Sequence, residues 1–245
     1  MKTFLTIMAI CVCIMSKAQT KQGTIIFERK MDLHRAITDE QMKAMLPQYQ
    51  TSNYELIFKD SISVYKSVPK EDEAPDPFDG GGGGNRVIIK IGGPGDAGVL
   101  YKNFANSQLL EQTSLDDKKY IIADTIHQLT WKLVDETKTI LNHLCKKAVT
   151  KTEKDSEIVA WYAEDIPVAT GPDRFSGLPG AILLVDITNG FTLFTATEIQ
   201  PTASAKDLKA PTDGTVVTRT QFSKKMDDVM GPADAQGRRM IKRTF

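Results

Sequence analysis

Cysteine, histidine and net charge are all in short supply, and each shortage closes a class of function. The 245 residues include three cysteines and three histidines. Cys11 and Cys13 lie in the N-terminal apolar stretch, and neither follows the small residue that a lipid-attachment box requires. Cys145 is then the one thiol in the body of the chain, so no intramolecular disulfide is expected there. His34, His127 and His143 occur singly, outside the H-E-x-x-H and H-x3–5-H spacings that place two ligands on one side of an element. No metal and no cofactor is therefore expected. Basic and acidic residues balance at 31 each. A nucleic-acid partner is not expected, because no basic excess exists to neutralise phosphates.

Long apolar runs are missing as well. The longest, from Phe4 to Met15, is too short for a permanent membrane helix, so the chain is not expected to span a membrane. Lys2 precedes that run and Ser16-Lys17-Ala18 closes it, which is the pattern of a secretory signal peptide cleaved before Gln19. Export to the periplasm or to the outer membrane follows as an expectation. The remaining residues, 19–245, suit a single β domain.

What the sequence does contain is short strands. Candidates at 99–103, 108–113, 119–123, 131–134, 138–141, 145–150 and 158–163 recur at intervals that fit an all-β sandwich or barrel-like sheet. Residues 24–29 alternate and read as an edge-like first strand. Residues 54–59 and 61–66 read as a hairpin about Asp60. Thr38-Asp39-Glu40-Gln41 is a capping box opening a short helix with Met42, Met45 and Leu46 on one face. The tract at about 67–98, with Gly80 to Gly84 at its centre, reads as a flexible insertion. It ends in Gly93-x-Gly95-x-x-Gly98. A dinucleotide fingerprint would open a helix there, whereas the sequel VLYKNF is strand-like and Pro94 interrupts the motif. Residues 215–222 read as a last strand, followed by a short helix capped by Ser223 and a basic tail at 237–245.

The densest stretch is 166–187, IPVATGPDRFSGLPGAILLVDI. Its prolines and glycines forbid a regular helix or ladder strand before Gly180. Leu178-Pro179-Gly180-Ala181 carries a type II turn signature, which puts glycine at the left-handed corner. The following strand, 181–185, is apolar on both faces and belongs in mid-sheet. Phe175 and Leu178 are expected to fold back over its start.

The same residues carry a family likeness. GLPGAI at 177–182, with Trp161-Tyr162, Ile166-Pro167 and Gly171-Pro172 before it, closely resembles the GLPGLI family of Bacteroidetes exported proteins; Ala181 stands where the family has leucine. Tyr101-Lys102-Asn103-Phe104, Trp131-Lys132-Leu133 and Cys145-Lys146-Lys147-Ala148 extend the match. The resemblance implies a curved antiparallel sheet, a bowl or half-barrel with one or two short helices. It implies no chemistry, because the family has no established activity.

Three functions fit these features. One is non-catalytic binding or carriage of an apolar small molecule, with Arg174, Phe175, Leu178, Trp131 and Trp161 as ligand contacts. In that reading Gly171, Pro172, Gly177, Leu178, Pro179 and Gly180 form the structural motif at the mouth of the bowl. The second is an accessory role on an outer-membrane protein. The third is a hydrolase acting on glycan or peptide, for which Cys145 with His143 two residues away on one strand face is the available pair. The G-x-S-x-G elbow fails at Ser176, and a small buried thiol is the ordinary state of a strand cysteine.

Overall fold

The computed structural model describes residues 21–37, 39–68, 98–115, 117–152 and 155–231. The expected signal peptide, nearly all of the glycine-rich tract and the basic tail lie outside these residues. Twelve strands form one open sheet: β1 (Gln22–Asp32), β2 (Tyr49–Lys59), β3 (Ile62–Val68), β4 (Val99–Asn103), β5 (Gln108–Leu115), β6 (Lys118–Thr125), β7 (Lys132–Ile140), β8 (His143–Lys151), β9 (Glu157–Ala163), β10 (Ala181–Ile187), β11 (Thr192–Gln200) and β12 (Thr215–Thr218). Their spatial order is β12-β6-β5-β4-β3-β2-β1-β11-β10-β9-β8-β7. Helices α1 (Leu33–Ala36) and α2 (Glu40–Met45) follow β1, and α3 (Arg219–Met230) follows β12. The fold is mainly β, a large curved sheet with few short helices, as the sequence implies.

Two meanders, β2 to β6 and β7 to β11, are joined through β1. β1 pairs with β2 on one side and with β11 on the other, so it is central and not the edge strand its alternation suggested. Alternation reports a two-faced environment, and a central strand with one face turned to solvent gives the same pattern. The sheet is antiparallel except at one border, where β12 runs parallel to β6. The strands expected at 131–134 and 138–141 are one strand, β7, with an irregularity between Val134 and Thr137 where a turn was anticipated. The last strand stops at Thr218. There Thr218 and Gln221 form a capping box, so Arg219 to Phe222 are already helical and Ser223 is not the cap.

Asp39 caps α2 by accepting from the backbone N–H groups of Gln41 and Met42. Met42 and Leu46 pack against Met31, Leu33 and Ile37, whereas Met45 is exposed. Asp60 turns the β2–β3 hairpin with φ of 52°.

One sheet face carries the main core, and the register shows which; Ile57, Val64 and Tyr101 are buried on the other. Tyr54, Leu56 and Phe58 of β2 stand opposite Phe27, Ile25 and Gly23 of β1. With Tyr65, Leu100, Leu109, Phe194 and Val185 they form the main core. Their cover is the chain between β9 and β10, which contributes Ile166, Val168, Phe175 and Leu178 to that core. Ile126, Leu129 and Trp131 pack against it in turn.

Candidate functional site

The loop at 166–180 is an ordered coil containing one isolated bridge, Thr170 to Ser176. It hydrogen-bonds the open edge of β10, where Ala181 N–H donates to Ile166 O and Ile182 N–H to Thr170 O. The Leu178–Ala181 turn is not type II. Among the loop glycines only Gly177 has a left-handed φ, 91°, and Gly180 does not. Gly180 is required for a different reason, close approach: a Cβ there would sit 2.1 Å from the Ala163 carbonyl oxygen. Gly171 is similarly tight against Ile182.

From this anchorage the loop reaches across the covered face toward the opposite end of the sheet. Thr170 hydrogen-bonds Ser63 of β3 at 3.1 Å. Lys102 of β4, wholly buried, donates to the carbonyl oxygens of Asp173 at 2.8 Å, Gly171 at 3.3 Å and Phe175 at 3.5 Å. Arg174 pairs with Glu111 of β5, whose Oε2 also accepts from Arg219 of α3 at 2.6 Å. Asp124 of β6 lies 4.0 Å from Arg174 and 3.7 Å from Arg219. One loop therefore ties four strands of one meander and the C-terminal helix to β10 of the other. The sheet's covered face is accordingly not lined by apolar side chains throughout: its β4–β6 side is a charged network.

Burial governs the protonation of this network. It pushes the Asp173 carboxyl up to about 6, against Arg174 and Lys102, and the carboxylate's Oδ1 has no hydrogen-bond partner among the described residues. It pushes Lys102 down to about 7, against the pull of Asp173. Three carbonyl acceptors ask for three N–H donors, which only the ammonium supplies, so hydrogen bonding and desolvation oppose each other there. The Asp173 contribution to stability is full below about pH 4 and is lost as pH rises through 6; that of Lys102 is full above about 10.5 and is lost as pH falls through 7. Asp173→Asn is expected to flatten the fall in thermal midpoint between pH 4 and 6 relative to wild type. Parallel profiles for the two proteins would refute this.

Four of the five anticipated ligand contacts come together here. Phe175 and Leu178 are buried, with Phe175 edge-on to Phe194. Arg174 is held by Glu111, and Trp131 donates its indole N–H to Ser176 O at 2.9 Å. Trp161 does not join them. It stands opposite Lys147 and Leu184 in the register and lies beneath the Lys138 ammonium, 4.4 Å from the ring centroid. It alternates with Ala160 and Tyr162 along β9 and packs against the core cluster from the opposite sheet face. Sequence reasoning missed Lys102, Glu111, Asp173 and Arg219. A signal existed for the first two: Lys102 follows Leu100, and Glu111 follows Leu109, on a face that is otherwise apolar.

The histidines are held separately. His34 bonds Leu46 O at 3.0 Å, His127 lies 3.4 Å from Asp124, and His143 Nδ1 bonds Asp165 Oδ2 at 2.8 Å. Among the described residues no group of three or more His, Cys, Asp or Glu could hold a metal ion. The Cys145 thiol meets the His143 carbonyl, not its imidazole, and burial pushes it up to about 11. A thiol that is neutral and enclosed does not attack. Iodoacetamide at pH 8 is expected to leave Cys145 of the native protein unmodified and to label it after denaturation; rapid native labelling would contradict this.

The architecture is shared with a solved protein. The structure of PNGF-II, in two crystal forms, superposes with TM-scores of 0.57 and 0.56 at 17% identity over 84% of this chain. This chain spans about a third of the length of PNGF-II, 33% and 32% in the two forms, so the likeness is one of fold alone. A family model described as "Protein of unknown function (Porph_ging)" matches residues 149–184, from the end of β8 through the loop into β10. That match is compatible with a Bacteroidetes-type family. No curated protein matches the sequence. Among the described residues no helix is long and apolar enough to cross a membrane.

Proposed function

We propose that this chain is an exported, non-catalytic accessory of the cell envelope, akin to the GLPGLI proteins it resembles, which holds a protein partner through the β7–β8 end of its sheet. The observation that carries this reading is the clustering of exposed leucines on that one hairpin. Leu133 is 59% exposed, Leu144 62% and Leu141 38%. Among the described residues β7 has β8 as its sole strand neighbour. A protein uses such a surface for contact more readily than for solvation. The same geometry argues for docking over carriage of an apolar molecule, because Phe175, Leu178, Ile166 and Val168 fill the face that a carrier would keep open.

A photo-crosslinking residue at Leu144, compared with one at the equally exposed Val216 on β12, tests the reading in the native host. One dominant envelope-protein adduct specific to position 144 is expected. Equal labelling from both positions, or none, would remove the proposal. N-terminal sequencing of the same material is expected to start at Gln19; a start at Met1 would remove export.

A further inference from the structure

The second meander does not stay zipped to the rest of the sheet along its whole length. β10 and β11 pair only over Leu184–Ile187 and Thr192–Thr195. Beyond that point β11 continues alongside β1 as far as Gln200, while Ala181 and Ile182 pair with β9 and with the covering loop. The sheet is therefore split. A cleft of about 470 Å³ occupies this split, a size ordinary for small-molecule sites. One wall is Gln22, Phe58 and residues 197–201; the other is the β7–β8 turn with His143, Asp165 and Ile166.

Three features make the cleft more than a packing fault. First, the turn that forms its second wall is a two-residue hairpin loop with both residues left-handed, Leu141 at φ 48° and Asn142 at 65°, and a leucine in that region is uncommon. Secondly, Asp165 holds the His143 ring through Nδ1, leaving Nε2 without a hydrogen-bond partner among the described residues. Thirdly, the polar lining mixes amides, Gln22, Asn142 and Gln200, with carboxylates that are already engaged, Asp165 with His143 and Glu198 with Gln200 at 2.9 Å. Phe58, Ile166, Ile199 and Pro201 supply an apolar floor beside them.

We propose that this split-sheet cleft binds a neutral saccharide of one or two rings. Groups that both donate and accept match vicinal hydroxyls, and an apolar floor matches the C–H face of a sugar ring. An anionic ligand is disfavoured because, among the described residues, the lining contains carboxylates and no lysine or arginine. A cationic one would have to compete with His143 for Asp165 and with Gln200 for Glu198, and tetramethylammonium tests that alternative directly. This inference goes beyond the docking reading and stands without it, since it shares only Leu141 with that surface and uses neither Leu133 nor Leu144.

The imidazole C2–H resonances of the full processed chain provide the test, with His143 assigned by its loss in His143→Gln. Glucose, N-acetylglucosamine and chitobiose are titrated to tens of millimolar, with inorganic phosphate and tetramethylammonium as charged probes. At least one sugar is expected to shift His143 saturably and to leave His34 and His127 in place. Asn142→Gly removes one amide at a left-handed position that glycine accepts, and Gln200→Ala removes another. Each should weaken the sugar about tenfold while keeping the wild-type thermal midpoint. Absence of a saturable shift with all three sugars, stronger binding of either ion, or unchanged sugar affinity in both variants would overturn the proposal. These outcomes are separate from the crosslinking result at Leu144, so either idea can fail alone.

Discussion

Gly180→Ala is expected to destabilise the protein by about 3 kcal/mol, near the upper end for forcing extra volume into a packed site. The new Cβ would lie 2.1 Å from the Ala163 oxygen and 2.6 Å from its carbonyl carbon, both backbone atoms of the neighbouring strand. Rotating a side chain gives no relief, so either β9 or the loop must move. Moving the loop loosens the Lys102 and Arg174 contacts downstream. Gly190→Ala is the natural control. Gly190 has φ of 82° with nothing within 4 Å of the added carbon, so that change should cost about 1 kcal/mol from backbone conformation alone. Equal losses in urea titrations of the two variants would show that conformation, and not close approach, is what position 180 needs.

Glu111→Ala carries the second large effect, also about 3 kcal/mol. The Glu111 side chain is 6% exposed and accepts from two guanidinium groups, Arg174 of the loop and Arg219 of α3. Removing it leaves two cations facing each other beside Asp124 alone, and breaking a buried pair from one side is far costlier than the pair's net worth. The figure sits at the low end for such sites because both arginines are partly exposed, 28% and 38%, and water screens them. Lys151→Ala, which breaks an exposed pair with Asp155, should leave the midpoint unchanged. Limited proteolysis adds a spatial readout: in Glu111→Ala, cleavage should appear in 171–180 and at the start of α3 before the rest of the sheet is attacked. A midpoint equal to wild type would rule out a latch role for Glu111.

Much of this architecture can be read from local pattern. Val99 to Asn103 reads as one short strand and is a strand with those same ends, and the apolar run from Ala181 to Val185 belongs to β10, whose sheet neighbours are β9 and β11. What local pattern does not encode is who neighbours whom. Nothing in residues 24–29 says that Ile25 will face Ile199, and nothing in 215–218 says that Val216 will pair parallel with Ile121. Thr218 shows a different failure. Its capping box was available as T-x-x-Q, but Phe222 extended the apolar pattern and favoured strand over helix. For the site, Pro179-Gly180 announced a constrained corner and left its cause open, since close approach and left-handed backbone call for the same residue. Lys102 and Glu111 were marked as inward only by the apolar residues two places before them, a weak signal because a single charged residue on a strand ordinarily faces water.

The seam between β1 and β11 has a consequence for how the chain is assembled. Thr24 meets Gln200, so the middle of the sheet is sewn from segments far apart in the chain. While the chain emerges, each meander can form from near neighbours, yet both keep a raw border until residue 200 has arrived. Any product truncated before that strand would keep two sticky fragments instead of one sealed sheet, which makes the last third of the chain the guardian against aggregation.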